Sequence, residues 1–445
     1  MTNLDPAPAA TTRPSLWRGR RFMPLFITQF LGAFNDNLLK NALVVLITYR
    51  LAAQSGMSPG MLVTLAAGIF ILPFFLLSAT AGQLADKYDR AAIAQWVKTA
   101  EVAIFLLAFA GFSLSSLTLL MFALFLLGVH SAFFGPVKYS VLPQYLGPDE
   151  LLSGNAYIGA ATFIAILLGT ITGALLVLKP TGADAVALLG GGLAVLGYLA
   201  SRAMPPAPAA GGNIAIERNI FVATSNNLRD VTRDASTRRH CVAISWFWFV
   251  GATYLAQLPL FASDALHADE TVVTLMLTLF SVGIGAGALL SRVAVAALRW
   301  RAGTLWPALA ATGMALAGLD VAYTAMHIVP AAGGDALRSV NDMLAMEGGK
   351  RLLGGLFVLA TCGGAYVVPL YTTLQRHAAP EVIARTIGGL NILNALYMVA
   401  SALVAMAIHA AGGGVAGIFI MVAFGNAWMA GLALRRPPLT ARNKA

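Results

Sequence analysis

The side chains best placed to do chemistry lie within the first long apolar run of the chain. Between Phe22 and Thr48 the ionisable residues are Asp36 and Lys40 alone. A helix through this run carries Asp36 about halfway across a hydrocarbon layer ~30 Å thick, where a charged side chain costs roughly 2.5–3.5 kcal/mol. Charges at such a position face a partner or a water-filled cavity. The carboxylate could there bind a cation or carry a proton.

Amide side chains accompany this acid at helical spacing. Gln29, Asp36 and Lys40 align along one side of the helix. Asp36 and Lys40 are four residues apart, so an alternative interpretation is that they form an ion pair with a purely structural role. A pair that needed only its own partner would not require so many amides, so we expect this side to face water. The neighbouring amides are Asn35, Asn37 and Asn41.

The composition indicates which elements must position these residues. The chain has 445 residues, of which 58% are hydrophobic and 11% charged. Soluble globular proteins have about 25% charged residues, so the sequence predicts an all-α membrane protein with many spans. We count twelve candidate spans, at about 22–49, 61–82, 92–112, 115–139, 151–178, 185–202, 241–262, 271–291, 304–328, 352–374, 384–409 and 412–434.

The distribution of basic residues predicts the orientation. If both ends are cytoplasmic, the inner segments contain 21 Lys and Arg residues and the outer segments five, and the other three lie within spans. The positive-inside rule therefore places both termini in the cytoplasm. The net charge of +10 follows from this topology, so we expect no nucleic acid partner.

The spans fall into two halves of six. The sequence predicts a disordered cytoplasmic tail at 1–21 without a signal peptide, an N-terminal six-helix bundle at 22–202, a cytoplasmic linker at 203–240, a C-terminal six-helix bundle at 241–434, and a second tail at 435–445. Gly135-Pro136-Val-Lys138-Tyr139 in the first half recurs as Val368-Pro369-Leu-Tyr371-Thr372 in the second. Parallel duplication of a six-helix unit is typical of transporters in which two bundles rock against each other.

The segment after the second span carries a motif, Gly82-x-Leu84-Ala-Asp86-Lys87-Tyr-Asp89-Arg90. It resembles the loop signature of the major facilitator superfamily, with Asp89 in place of the second glycine. The resemblance implies that Gly82 permits close helix packing and that Asp86 stabilises a closed inner gate, meeting a helix N-terminus or a cation such as Arg385. The alternative is a simple surface pair between Asp86 and Arg90.

Three further sequence motifs resemble those of the lysophospholipid transporters of bacterial inner membranes, including the transporter half of their fusions to acyltransferases. They are Gln29-Phe30-Leu31-x-Ala33-Phe34-x-Asp36-Asn37, Pro136-x-Lys138-Tyr139 and Gly154-Asn155. The resemblance implies a flippase that moves lysophospholipids, notably the ethanolamine type, inward for re-acylation by an acyltransferase/acyl-ACP synthetase. The seventh span departs from the family, since Tyr254 and Gln257 stand in a stretch without the usual basic residue.

A lysophospholipid headgroup combines a phosphate with, commonly, an ammonium, so its cavity needs an acid, a cation and neutral polar groups. Asp36 is our candidate acid, and Lys40 and Lys138 are the candidate cations. Alternatively, Lys138 extends to the nearby membrane surface, about four residues away. Amides in spans can also act only as interhelical hydrogen-bonding groups. The remaining predicted binding residues are Gln29, Asn35, Asn37, Tyr139, Asn155, Asn391, Asn394, Tyr254 and Gln257.

Two further titratable features lie within spans. Lys98 and Glu101 are three residues apart on one helical face and either line the cavity or form a self-satisfied intramembrane pair. His130 is a lone imidazole in span four, for which a packing role is favoured over a proton relay. For the acyl tail we expect a lateral apolar opening, with Phe133, Phe134, Leu167 and Leu168 as candidate lining.

The sequence contains no hydrolase, transferase or nucleotide-binding constellation, so we expect no catalytic residue, no metal site, no cofactor and no enzymatic activity. The two cysteines imply no disulfide framework. We expect a monomer that is embedded in the lipid bilayer and binds a lysophospholipid as its substrate. The alternatives are a proton-coupled exporter of drugs or small amphiphiles, with Asp36 as the protonation site, and a non-transporting membrane scaffold for an acyltransferase.

Overall fold

The computed structural model describes residues 16–17, 19–51, 56–212, 214–298, 305–327 and 337–435. Within these residues, twelve helices are long and apolar enough to cross a membrane. This number confirms the all-α architecture predicted from hydropathy. Most of the first predicted tail and nearly all of the second, residues 1–15 and 436–445, lie outside the described residues.

The N-terminal bundle contains the first six spanning helices. Ser58, Asp89 and Ser116 begin three of them, because each side chain accepts a hydrogen bond from the backbone N–H three residues on. The helices are α1 (Met23–Leu46, followed by a π-helical turn, Ile47–Leu51), α2 (Pro59–Lys87), α3 (Arg90–Ser113), α4 (Leu117–Tyr145), α5 (Leu151–Val177) and α6 (Gly182–Arg202).

The remaining helices form a linker helix and the C-terminal bundle. The linker helix is α7 (Ile220–Arg233). The bundle consists of α8 (Ala235–Leu260, followed by a π-helical turn, Phe261–Ala265), α9 (Glu270–Leu298), α10 (Leu305–His327), the short α11 (Val340–Ala345), α12 (Gly349–His377), α13 (Ile383–Ala410) and α14 (Gly414–Leu434).

Several helices extend beyond the predicted spans. α4 continues six residues past 139, to Tyr145. α8 begins six residues before 241, because the side chain of Asp234 accepts a hydrogen bond from the Thr237 N–H and caps the helix within the predicted linker. Hydropathy marks only the apolar middle of a helix, whereas capping decides where it begins.

The last residues of the predicted disordered tail are packed in the structure. The Trp17 ring makes edge contacts with Phe26 and Tyr157, at centroid distances of 5.2 and 4.6 Å. The Arg21 guanidinium donates to the Glu150 carboxylate at 2.6 Å. Both contacts join the start of α1 to the region where α5 begins, and the sequence alone gives no sign of this packing.

The two bundles meet mainly through two helix pairs, α2 with α13 and α5 with α9. We call the end of the molecule where α2 finishes and α13 begins the Asp86 end. In the α2–α13 pair, a Cβ added at Gly82 would lie 2.8 Å from the Ala384 carbonyl oxygen. The backbones of the two bundles are therefore in direct contact at this end, and only glycine fits there.

Candidate functional site

A cavity of about 280 Å³ lies between the two bundles. α1, α2, α4 and α5 line it from one bundle, and α8, α12 and α13 line it from the other. Most of the residues predicted to bind substrate line this cavity, although their role in binding stays a prediction. They are Gln29, Asp36, Asn37, Lys40, Lys138, Tyr139, Asn391 and Asn394.

Asp36 faces this cavity and retains 16% exposure of its side chain. Its Oδ2 accepts a hydrogen bond of 2.5 Å from the Ser131 hydroxyl on α4. Its Oδ1 lies 3.9 Å from Nδ1 of His130. The Lys40 ammonium instead donates to Oδ1 of Asn37 at 2.9 Å. Among the described residues no ion pair joins Asp36 to Lys40, so the structure does not support the neutralised pair.

The two candidate cations line the cavity from different helices. Lys40 lies on α1, with its ammonium 5.7 Å from the centroid of the Phe70 ring. Lys138 lies on α4, with its ammonium 4.7 Å from the centroid of Tyr139. Since α4 continues seven residues beyond Lys138, about 10 Å of helix, this lysine is deeper than its predicted position near the helix end.

α13 presents the amides of Asn391 and Asn394 from the opposite wall. A Cβ at Gly135 would lie 2.4 Å from Nδ2 of Asn391, so the glycine makes room for this amide. Asn394 accepts a hydrogen bond of 2.8 Å from Ser245. The Asn391 amide nitrogen is buried and has no hydrogen-bond partner among the described residues. It is thus an unpaired donor on a residue that lines the cavity.

Asn35 does not line the cavity, although the sequence includes it among the binding residues. It is fully buried, and its amide donates to Glu101 at 2.9 Å and to the Gly190 carbonyl at 3.1 Å. Successive residues on a helix are about 100° apart, so Asn35 points into the N-terminal bundle while Asp36 points into the cavity.

Lys98 and Glu101 are fully buried outside the cavity and pair at 2.5 Å, but Glu101 also accepts a hydrogen bond from Asn35, so the pair is not self-satisfied. His130 connects this pair to the cavity. Its Nε2 lies 3.4 Å from Glu101, and its Nδ1 faces Asp36. Neither a lone imidazole nor an i,i+3 pair indicates from the sequence that these groups meet.

Tyr254 and Gln257 also lie outside the cavity lining. Tyr254 is fully buried, with its ring stacked on Phe419 at 4.7 Å. The side-chain oxygen of Gln257 lies 2.9 Å from Nε2 of His409. The cavity-facing residues of α8 are instead Trp248 and Leu255. These are seven residues apart and therefore share a helical face that excludes Tyr254 and Gln257.

Asn155 lies between the bundles, outside the lining of the cavity but beside Tyr139 and Tyr371, which belong to it. Its amide donates to Oε1 of Gln375 at 2.5 Å and to the Thr372 hydroxyl at 3.2 Å. Gln375 in turn donates to the Tyr139 carbonyl at 2.9 Å. Asn155 thus joins α5 to α12, and this position favours a closing contact over direct contact with substrate.

Asp86 makes the contact that the motif implies. Its carboxylate accepts hydrogen bonds of 3.0 Å from the backbone N–H groups of Ala384 and Arg385, in the first turn of α13. The Arg385 side chain adds a bond of 3.1 Å. Arg90 pairs with Asp86 at 3.2 Å and also donates to the Pro380 carbonyl. The alternative Asp86 to Arg90 pair is therefore present, but as part of a network that joins both bundles.

Other side chains also close the Asp86 end, among them Tyr139, which the sequence indicates only as a binding residue. Arg292 of α9 donates to the Tyr157 hydroxyl at 2.6 Å. Tyr139 and Tyr371 stack at 4.4 Å across the two bundles. One signal was available for the tyrosines, because both lie in the repeated Gly-Pro and Val-Pro segments. Arg292 ends a segment, Gly287-Ala-Leu289-Leu-Ser291-Arg292, that echoes Gly82-Gln-Leu84-Ala-Asp86 in the first half, whereas Tyr157 has no such signal.

The four residues proposed to surround an acyl tail do not lie together. Phe134 lines the central cavity. Phe133 lines a separate apolar pocket of about 500 Å³ between α2, α3 and α4. Leu167 is buried and Leu168 is exposed on the bundle surface. The apolar part of the central cavity is instead formed by Phe70, Ile71, Phe74, Ile166, Leu255 and Met398, among others.

Comparison with known protein families gives one match that extends over most of the chain. The model of the Major Facilitator Superfamily matches residues 25–402. Similar curated proteins include the lysophospholipid transporter LplT of Enterobacter sp. (strain 638), 26% identical over 384 residues that cover 84% of each chain. The lysophospholipid transporter LplT of Serratia proteamaculans (strain 568) is 28% identical over 346 residues, which cover 75% of this chain and 82% of that protein.

Solved structures share the fold at low sequence identity. The human organic anion transporter MFSD10 (TETRAN) matches with a TM-score of 0.74 and 16% identity, over 95% of this chain and all of that one. The Escherichia coli fucose:proton symporter FucP matches with a TM-score of 0.69 and 13% identity, over 93% of this chain and 97% of that one. At these identities the likeness concerns the fold alone.

Proposed function

This chain belongs to the Major Facilitator Superfamily, and from that premise we propose that it is a lysophospholipid flippase of a bacterial inner membrane. It moves lysophospholipids such as lysophosphatidylethanolamine inward by alternating access. An acyltransferase/acyl-ACP synthetase then re-acylates them on the cytoplasmic side. The protein moves its substrate without making or breaking bonds, and it acts as a monomer.

The observation that carries this proposal is the mixed charge of the central cavity. Asp36, Lys40 and Lys138 line one cavity of about 280 Å³, together with the Asn391 amide. A carboxylate suits the ammonium of an ethanolamine headgroup, and the two lysines suit its phosphate. The volume lies near the lower end of small-molecule sites, so it fits a headgroup better than a whole lipid.

Curated relatives support the choice of substrate. Proteins named lysophospholipid transporter are 26–28% identical to this chain over 75–84% of its length. The apolar wall formed by Phe70, Phe74 and Ile166 lies beside the polar groups. An acyl tail could follow this wall toward the bilayer while the headgroup crosses the membrane.

The cycle that we propose starts from the closed Asp86 end, which is the cytoplasmic one. Asp86 bonds the first turn of α13, and Asn155 bonds Gln375 of α12. Headgroup binding in the cavity is followed by separation of these contacts, and the cavity then opens to the cytoplasmic leaflet. Asp86, Arg90, Arg385 and Gly82 act in this gate.

Reconstitution tests the proposal directly. Purified protein in liposomes should translocate a fluorescent lysophosphatidylethanolamine, and Asp36→Asn should abolish translocation while the melting temperature is kept. Asp184→Asn is a matched control, because that carboxylate lies in the first turn of α6 and outside the cavity lining. Equal translocation by Asp36→Asn and wild type would remove Asp36 from its role.

The same vesicles distinguish the proton-coupled exporter. A pH gradient that drives uptake of a cationic dye, with no response to any lysophospholipid, would replace our proposal by that function. His130 and Asp36, whose side chains approach to 3.9 Å, would then be the groups that carry the proton.

A further inference from the structure

The linker helix α7 lies across the line where the two bundles meet. Its Ala223 is fully buried in a small apolar cluster with Ala79 of α2 and Ile392 of α13. Phe75 and Leu228 pack at the edge of this cluster. A single turn of α7 therefore touches both bundles at once, which a passive connecting segment has no need to do.

Beneath α7, the backbones of α2 and α13 are in direct contact along a line that we call the α2–α13 seam. A Cβ at Gly388 would lie 2.5 Å from the Ser78 carbonyl oxygen, and a Cβ at Gly82 would lie 2.8 Å from that of Ala384. Opening of the Asp86 end must separate these two helices. Because α7 contacts both of them, it must leave one when the seam opens.

α7 is joined to the C-terminal bundle by a hydrogen bond, by a core residue and by direct continuity with α8. The Asn227 amide donates to the Arg385 carbonyl at 3.0 Å. Val231 belongs to the hydrophobic core of the C-terminal bundle. Asp234 ends α7 and also caps α8, so the two helices are joined without a spacer.

On the side of α2, the helix itself contributes the Ala223 contact with Ala79 and its neighbour Phe75. The hydrogen bond on this side belongs to the segment before the helix, where the Glu217 N–H donates to Oε1 of Gln83 at 3.0 Å. Asn219 then caps α7 through the Phe221 N–H. The chain between Glu217 and Asn219 is therefore the point at which α7 can turn away from α2.

The outer face of α7 suits a membrane surface. Phe221 and Val222 are 68% and 41% exposed. Arg229 and Arg233 are exposed beside them. Helices at the boundary between headgroups and acyl chains bury apolar residues such as Phe and keep Lys or Arg on their polar face. α7 can therefore separate from α2 and keep its exposed apolar side chains at the membrane boundary.

We propose that α7 is a strap that moves with the C-terminal bundle, covers the α2–α13 seam while the Asp86 end is closed, and uncovers it as that end opens. The uncovered seam is a lateral opening through which the apolar tail of a single-chain lipid reaches the adjacent leaflet. This last part rests on the proposed function, whereas the movement of the strap does not.

Two cross-links that share one residue test the strap. In a Cys241→Ala, Cys362→Ala background, Ala79→Cys with Ala223→Cys fixes α7 to α2, and Ala223→Cys with Ile392→Cys fixes it to α13. Joining each pair with a short thiol cross-linker should stop lysophosphatidylethanolamine translocation in the first variant and leave it unchanged in the second. The same two proteins without the cross-linker are the controls, and both should translocate.

Inhibition by both cross-links, by neither, or by the α13 cross-link alone would overturn the proposal that α7 moves as a strap.

If the untreated proteins translocate no lysophospholipid, the proposed function fails, and distances between spin labels then test the movement of α7 without a transport assay. Labels at Ser225 and Tyr88 report α7 against the N-terminal bundle, and labels at Ser225 and His377 report it against the C-terminal bundle; all three positions are exposed. We expect two distances for the first pair and one for the second, and a single distance for both would overturn the strap.

Discussion

At the scale of single residues, the environment of Asp36 explains how a carboxylate is tolerated in the middle of a spanning helix. Its two oxygens face different groups, the Ser131 hydroxyl at 2.5 Å and the His130 ring at 3.9 Å. The cavity leaves part of the side chain accessible. Charge-assisted hydrogen bonds are roughly twice as strong as neutral ones, so Ser131 fixes the direction in which Asp36 meets a ligand.

Ser131→Ala should lower translocation by a factor of about 10 to 150, because a hydrogen bond to a charged group contributes about 1.5–3 kcal/mol. Flippase assays on equal amounts of folded protein would measure this change. Ser140→Ala is the matched control, since that hydroxyl on the same helix donates to the Val137 carbonyl of its own helix. An unchanged rate in Ser131→Ala would show that the orientation of Asp36 is set elsewhere.

The buried pair of Lys98 and Glu101 gives a second prediction at this scale. Removal of one partner leaves an uncompensated charge, so Lys98→Met should destabilise the protein by about 3–5 kcal/mol. The double variant Lys98→Met, Glu101→Leu should recover part of this loss, because both charges are gone but the buried Asn35 amide loses its Glu101 acceptor. Thermal unfolding in detergent would measure both, and a double variant no more stable than the single one would contradict a simple pair.

At the scale of helices, small residues decide how closely the two bundles approach. Gly82 and Gly388 face carbonyl groups across the α2–α13 seam. A side chain at either position would meet backbone, which cannot rotate away as a flexible side chain could. Closure of the Asp86 end therefore depends on these two glycines as much as on the ionic network around Asp86.

Gly82→Val should hold the Asp86 end open, since the added Cβ would lie 2.8 Å from both the Ala384 oxygen and the Arg385 Cα. A cysteine at Thr372, buried beside Asn155 in the closed form, should then react faster with a soluble maleimide. Gly68→Val is the control on the same helix, because no atom lies within 4 Å of its Cβ position. Equal reactivity in the two variants would argue against this role of Gly82.

At the scale of the whole molecule, the side that is predicted to carry most basic residues is also the side on which the two bundles are closed, the Asp86 end. The sequence places 21 Lys and Arg residues on the side that contains Asp86 and five on the other. The bonds found between the bundles around Asp86, Asn155 and Arg292 also lie on that side. The orientation therefore decides to which compartment the cavity opens next.

Cysteine labelling in intact cells would test this orientation. Tyr88→Cys lies at the Asp86 end, and Ser115→Cys lies between α3 and α4 at the opposite end; both positions are exposed. A membrane-impermeant maleimide should label Ser115→Cys in intact cells and Tyr88→Cys only after permeabilisation. The reverse pattern would invert the direction of transport that we propose.

Much of the architecture follows from local properties of the chain. Each spanning helix is long and apolar by itself, so hydropathy was enough to count twelve spans and to separate the two halves. The motif around Asp86 was also readable, because its partners lie at the ends of short connections. Helix ends were less accessible, since caps such as Asp234 lie outside the apolar segments that mark a span.

The sequence by itself determined that the chain crosses the membrane twelve times and that Asp36 needs polar surroundings. Only the tertiary structure decided that Ser131, and not Lys40, bonds this acid, that Tyr254 and Gln257 turn away from the cavity, and that α7 covers the seam. The physical reason is that a membrane helix is apolar on nearly every side. Its own sequence gives its length, but its neighbours decide which face is buried.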